Sequence, residues 1–420
     1  LDLENNKLGI VNGKNLPKTI WEYFSEQGKK VVSLNVPMTF PPRKVNGVII
    51  SGMLTPGIDS NFIYPRNFKT EFLNNNPSYH IFQLSRIKKD FSYKEIDRYL
   101  LELRKIIDTR KDAALYLFDK EDPDLMMVHF QVTDILQHPY WKKLDKNHKD
   151  YSSEAYNNIG NNFYKFLDNR LQSMVNQIKS THEDLLVTII SDHGFQPHDK
   201  RINLGDFLST KNYCIRNLNS SNSFKSLTIR ALRKFDLLGI LKKVFKDKWL
   251  NAVEKATQPI LWSKSKVIAI GRSSYGFIYI NEKLVKDKNS FKKELIKNLE
   301  ELNQLGTRKV INTIFTKEEL YKGSRLDSLP DLIIVPEPGI TFSGSFSDQG
   351  KGDLLVEGLE DFHQGIHHLK GIYIFAGDGI NKNFKSDISI IDVFPTLSML
   401  AGLPTPETDG KRCKELVNEG

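Results

Sequence analysis

The stretch "LLVTIISDHGF" (185–195) runs a β-rich apolar segment straight into Ser191-Asp192-His193-Gly194. Its hydrophobicity is continuous rather than alternating, the pattern of a strand covered on both faces in a parallel sheet. An Asp and a His at the carboxyl end of such a strand stand where α/β proteins bind their ligands. Gly194 lets the backbone turn sharply, so that the two neighbouring side chains can converge. Oxygen from Asp192 with nitrogen from His193 suits Zn²⁺, Mn²⁺ or Fe rather than Ca²⁺. The bland alternative is a helix-capping Asp beside a surface His.

Two further stretches have the same form. In "LMMVHFQVTDILQH" (125–138) an apolar run leads into Asp134, with His138 four residues on. Asp and His at that spacing share a face if a helix begins there. In "FHQGIHHLKGIYIFAGDGI" (362–380) His363, His367 and His368 precede another apolar run, three of the chain's ten histidines within six residues. Each motif alone is weak. Three Asp/His-bearing turns beside core strands together indicate a metal-assisted hydrolase.

The rest of the chain fits α/β layering, with short apolar runs alternating with longer amphipathic ones. Predicted strands are 30–36, 47–50, 114–118, 125–130, 185–190, 331–335 and 371–376. Predicted helices cover 93–109 and 152–180, the second capped by Ser152 or Ser153. Residues 56–65 and 336–353 read as loops from their Gly, Pro and Ser content. The region 205–330 differs, with a basic amphipathic stretch, a hairpin-like pair ("KVIAIG", "GFIYIN") and a charged helix near 289–304. The predicted organisation is an α/β core over 1–204, an inserted cap over 205–330, and a return to the core over 331–420.

Composition narrows the class. The 420 residues exceed one small core. No apolar run approaches the roughly 20 residues that span a bilayer. Two cysteines, Cys214 and Cys413, form no CxxC pair, which argues against a disulfide framework or a Cys-based zinc site and favours a reducing, cytoplasmic setting. The formal charge of +9 reads first as a lysine-rich composition and second as a preference for an anionic substrate or surface. Part of it sits in 225–249, where eight Lys/Arg face two Asp. That stretch reads first as a cap helix with its apolar face on the core and second as a peripheral membrane contact. No nucleic-acid module is present.

These residues, in this order, resemble the alkaline phosphatase superfamily, and within it the type I phosphodiesterase/nucleotide pyrophosphatase family of its prokaryotic branch. "SDHGFQPHDKRINLGDFL" (191–208), "ILWSKSKVIAIGRSSYGFIYIN" (260–281), "LPDLIIV" (329–335) and "IDVFPTLSMLAGLPTPETDGK" (391–411) look like family landmarks, as does 13–56. The resemblance spans nearly the whole chain. It implies an alkaline-phosphatase-like, mostly parallel central sheet flanked by helices, with an inserted cap subdomain. It also implies two divalent ions, Zn or else Mn or Fe. Asp134, His138 and His367 would hold one ion, and Asp192 and His193 would belong to the other. His368 falls at a position often basic in the family, and His363 is a bystander. Two metals about 4 Å apart clamp a phosphoryl group while a Thr or Ser hydroxyl attacks phosphorus. Such a centre acts on a small phosphoric ester or a nucleotide.

Two parts that the family needs do not appear: an Asp in a "D-G" turn and a Thr or Ser in a "TG" turn. Both are expected upstream of the segment that opens the chain, which starts with Leu1. Within the chain, Ser51 and Thr55 of "VIISGMLTPG" (48–57) are the substitute nucleophiles. A sulfatase "C/S-x-P-x-R" setting and an "HExxH" peptidase motif are both absent. No Arg stands beside the metal motifs, which points to diester or nucleotide pyrophosphate bonds over monoesters. The competing reading is a metal-binding, inactive remnant or half of a split enzyme.

Overall fold

In a computed structural model, which describes residues 12–81, 93–217, 260–272, 274–304, 306, 308–344, 346, 354–357 and 364–417, strand β1 (Val31–Leu34) is buried at all four positions. It pairs in parallel with β2 (Gly47–Ile50) on one side and β4 (Leu125–Val128) on the other. A short β3 (Ile63–Tyr64) closes the sheet antiparallel to β2, giving the order β3-β2-β1-β4. The described residues form two compact units, one of Gln196–His368 and the other ending at Phe195 and resuming at Leu369.

Helices cover both faces of this first sheet, which is why β1 needs no polar alternation. On one face Val32, Leu34 and Ile50 pack with Phe72 of α2 (Phe68–Asn75) and with Ala113, Ala114 and Leu117 of α3 (Tyr93–Glu121). On the other, Val31 and Ile49 pack with Trp21 and Phe24 of α1 (Ile20–Glu26) and with Phe394 of the helix Ile390–Leu400. A second face of α3 holds Leu103 and Ile107 against Leu136 of α4 (Val132–Leu144) and Phe163 of α6 (Asn162–Lys179). Between them Ser152 caps α5 (Ser153–Ala155), accepting from the Ala155 amide, and a π-turn over Tyr156–Asn161 leads into α6. The long α6 falls within the predicted 152–180.

Strand β5 (Val187–Ile190) pairs antiparallel with Tyr373–Ala376. The turn Ser191–His193 follows, then β6 (Gly194–Pro197), in which the chain passes into the second unit. That unit contains β7 (Lys200–Asn203), α7 (Leu204–Thr210), the antiparallel hairpin β8 (Val267–Arg272) and β9 (Tyr275–Ile280), and α8 (Lys288–Glu300). It continues through β10 (Ile311–Thr316), α9 (Lys317–Leu320), β11 (Leu332–Pro336), β12 (Ile340–Ser343), β13 (Leu355–Glu357) and β14 (Gly365–His368). Its main sheet, β10-β11-β9-β8, is antiparallel. Strand β9 alternates half-buried and buried positions, presenting Ile278 and Ile280 to a core shared with Leu295 and Leu299 of α8. Buried Asp331 joins the elements: it accepts from the Ile280 amide and pairs with Lys288 and Lys317.

Four expectations need correction. Residues 56–65 are not all loop, since Ile63–Tyr64 pairs antiparallel with β2. Residues 114–118 are helix, not strand: "ALYLF" is the buried flank of α3, where an apolar run this short reads alike in either element and Ala and Leu favour the helix. Residues 336–353 are not all loop, since Ile340–Ser343 pairs in parallel with β7. The strands at 185–190 and 371–376 are not covered on both faces. Ile189 and Ile190 are each 36% exposed and Ile374 is 50% exposed. Among the described residues β5 and Tyr373–Ala376 form a sheet of two strands only, too narrow to be covered as a sheet interior is. The basic stretch 225–249 and His363 lie outside the described residues. Among the described residues no helix is long and apolar enough to cross a membrane.

Candidate metal centre

The parallel ladder between β1 and β4 runs one residue past β4, where the His129 amide donates to the Leu34 carbonyl. The chain then turns through Phe130 and Gln131 into α4, which puts Asp134 in the first helical turn, where the helix dipole stabilises a carboxylate. His138 follows one turn later. Its Nε2 lies 3.4 Å from Asp134 Oδ1. Pro139 removes the amide that would bond the Ile135 carbonyl, and the Tyr99 hydroxyl of α3 donates to that carbonyl instead, at 3.2 Å. The ligand-bearing turn of α4 is thus held from outside.

The second turn is held as firmly. The Ser191 amide donates to the Ile372 carbonyl, and the Ile372 amide donates to Ser191 Oγ at 2.8 Å. Gly371 packs so closely that a Cβ there would sit 2.6 Å from Ser191 Oγ and 2.9 Å from its carbonyl oxygen. Past this clamp Asp192 points outward, 81% exposed, and His193 points inward, 20% exposed. His193 Nε2 lies 3.7 Å from Asp134 Oδ1 and 3.6 Å from Asp192 Oδ1.

Two imidazole nitrogens therefore converge on one carboxylate oxygen, at spacings too long for hydrogen bonds. Ligand atoms about 2.1 Å from a tetrahedral zinc are themselves about 3.4 Å apart, which is the separation of His138 Nε2 from Asp134 Oδ1. The tautomer fits as well. His193 Nδ1 lies 3.0 Å from the Gly194 carbonyl, which can only accept, so Nδ1 carries the proton and Nε2 keeps its lone pair. The oxygen and nitrogen donors gathered here fit a divalent ion of the zinc class.

Phe195 organises this group, and sequence reading passed over it. Its ring stands edge-on to His138 at 5.0 Å, and lies 5.5 Å from His193 and 5.6 Å from Trp141. Its place after "SDHG" was the available signal. Of the remaining candidates, His367 belongs to the other unit, on β14, where its carbonyl accepts from Gln196 Nε2 and Ser274 Oγ. His368 ends the same strand. Ser51 is fully buried, its hydroxyl donating to the Thr39 carbonyl. The Thr55 hydroxyl donates to the Gly52 carbonyl.

The family described as "Type I phosphodiesterase / nucleotide pyrophosphatase" matches residues 4–368. Among solved structures, murine ectonucleotide pyrophosphatase / phosphodiesterase 5 is 14% identical over 95% of this chain and 74% of its own, with a TM-score of 0.43. Phosphonoacetate hydrolase from Sinorhizobium meliloti 1021, in complex with phosphonoformate, is 13% identical over 88% of this chain and 70% of its own, with a TM-score of 0.41. No curated protein matches the chain.

Proposed function

The chain belongs to the type I phosphodiesterase/nucleotide pyrophosphatase family, and from that premise we propose that it cleaves phosphodiester or nucleotide pyrophosphate bonds at a centre for two divalent ions. That it is a phosphoester hydrolase of this type follows from the family. The metal dependence and the choice of bond are our reading. The observations that carry it are the ligand-like spacings of His138 Nε2 from Asp134 Oδ1, 3.4 Å, and of His193 Nε2 from Asp192 Oδ1, 3.6 Å.

Asp134, His138 and His367 would hold one ion, and Asp192 and His193 the other, by their positions in the family motifs. When bound, the ions supply positive charge against the phosphoryl oxygens and ease ionisation of the attacking hydroxyl. The chain's own residues do the rest. The α3 and Phe195 contacts fix the ligand directions, Asp134 presents its oxygen at the positive end of α4, and Gly194 accepts the proton-bearing face of His193. The net charge of +9 favours encounter with an anionic ester.

The attacking hydroxyl, on which the phosphoryl group is held covalently, belongs to a Thr or Ser outside the described residues. Ser51 and Thr55 each spend their hydroxyl on a backbone carbonyl. Strands β4 and β5, whose ends lead to Asp134 and to Asp192–His193, each leave one edge unpaired among the described residues. A strand added at such an edge would bring a hydroxyl to the ligand-bearing ends.

Hydrolysis of a chromogenic phosphodiester, beside the matching monoester, tests the reading. Faster diester turnover, lost to a chelator and restored by Zn²⁺ or Mn²⁺, is the expected result. Diester turnover that survives chelation contradicts it.

A further inference from the structure

Among the described residues, one buried charge on α3 has no opposite charge to meet it. Arg110, on α3, is 4% exposed, and buried cations are ordinarily paired. Its Nη1 donates to the Tyr79 hydroxyl and its Nη2 to the His80 carbonyl, both at 3.0 Å, and its guanidinium lies 5.0 Å from the Tyr79 ring centre. All three partners are neutral. Burial pushes the Tyr79 phenol up to about 12, so it stays protonated beside the cation. Among the described residues no carboxylate pairs with Arg110.

Arg110 lines a cavity of about 20 Å³ together with His129, Gln131 and Val132. His129 Nδ1 is buried there without a hydrogen-bond partner. Gln131, at the cap position of α4, gives no side-chain hydrogen bond to the helix's first turn, so the positive end of the helix dipole also meets the cavity. An unpaired guanidinium, an unused imidazole nitrogen and an uncapped helix start share one small space. That space is of a size to admit one small ion.

We propose that this cavity binds one small monovalent inorganic anion of chloride size, held by Arg110 and flanked by His129 Nδ1 and the start of α4. The anion neutralises the buried guanidinium and steadies the start of the helix that carries Asp134 and His138. It takes no part in the ester chemistry, and the site stands whether or not the proposed reaction does.

Thermal unfolding of the whole chain in chloride, against gluconate at equal ionic strength, tests this. We expect a saturable rise in midpoint of about 2 °C in chloride, lost in Arg110→Gln. Equal midpoints in the two salts, or the same rise in Arg110→Gln, overturn the proposal. If Arg110→Gln does not fold, wild-type crystals grown in bromide decide. An anomalous peak within hydrogen-bond reach of the guanidinium upholds the site, and an ordered water in its place overturns it.

Discussion

Phe195 touches both histidines that approach Asp134, so its removal should loosen their directions without deleting a ligand. Phe195→Ala is expected to lower metal affinity about 10–100-fold, as supporting contacts around ligands typically do, read by competition with a chromophoric chelator. An unchanged affinity would show that the ring is only filler. His129 offers a second test at this scale. Burial, and then the nearby Arg110 charge, hold its imidazole below the ordinary value of 6.5. A group depressed in the folded state contributes stability that is present above its unfolded value and lost as pH falls through the folded one. Stability should therefore decline from about pH 6.5 downward, and His129→Gln should flatten that decline in urea titrations across pH 7 to 5. The aspartates and histidines of the two strand-end turns were visible in the sequence because chemistry limits which residues bind metal. Phe195, His129 and Arg110 were not, because an aromatic, a lone histidine and an arginine acquire meaning only from neighbours distant in the chain.

At the scale of elements, α4 depends on a bond that its own sequence cannot make. Pro139 leaves the Ile135 carbonyl without its helical donor, and Tyr99 supplies one from α3. Tyr99→Phe should cost about 1–3 kcal/mol in urea unfolding, the usual penalty for stranding a buried acceptor. No loss would mean that water takes the place of the hydroxyl. The turn after β5 is tested by Gly371→Ala, whose Cβ would press on Ser191. The variant should bind metal more weakly while its far-ultraviolet spectrum stays that of the wild type. The Asp-x-x-x-His spacing of α4 and the β8–β9 hairpin were legible from local pattern alone. The helix at 114–118 was not, because a run of five apolar residues fits the inside of a sheet and the inside of a helix equally. The strand at 340–343 was hidden for another reason: its partner, β7, lies more than a hundred residues earlier.

At the scale of the whole molecule, the α/β class was readable because β1 and β2 are apolar at all positions but Ser33 and Gly47 and helices pack on both sides of them. The open edges of β4 and β5 were not, since pairing is settled by neighbours and not by composition. Alkali should weaken the fold as a whole. Burial raises the Cys214 thiol to about 11 and the Tyr79 phenol to about 12. Groups raised in the folded state contribute stability below their unfolded values that is lost as pH climbs toward the folded ones. Unfolding free energy should therefore fall between about pH 9 and 12, and native Cys214 should resist thiol reagents at pH 8 that label it in urea. The central claim, that Asp134 and the histidines facing it form a metal centre, is tested most directly by elemental analysis of the purified chain beside Asp134→Ala. Divalent zinc-class metal bound by the wild type and lost from the folded variant is the predicted result. A metal-free wild type, or equal metal in both proteins, would contradict it.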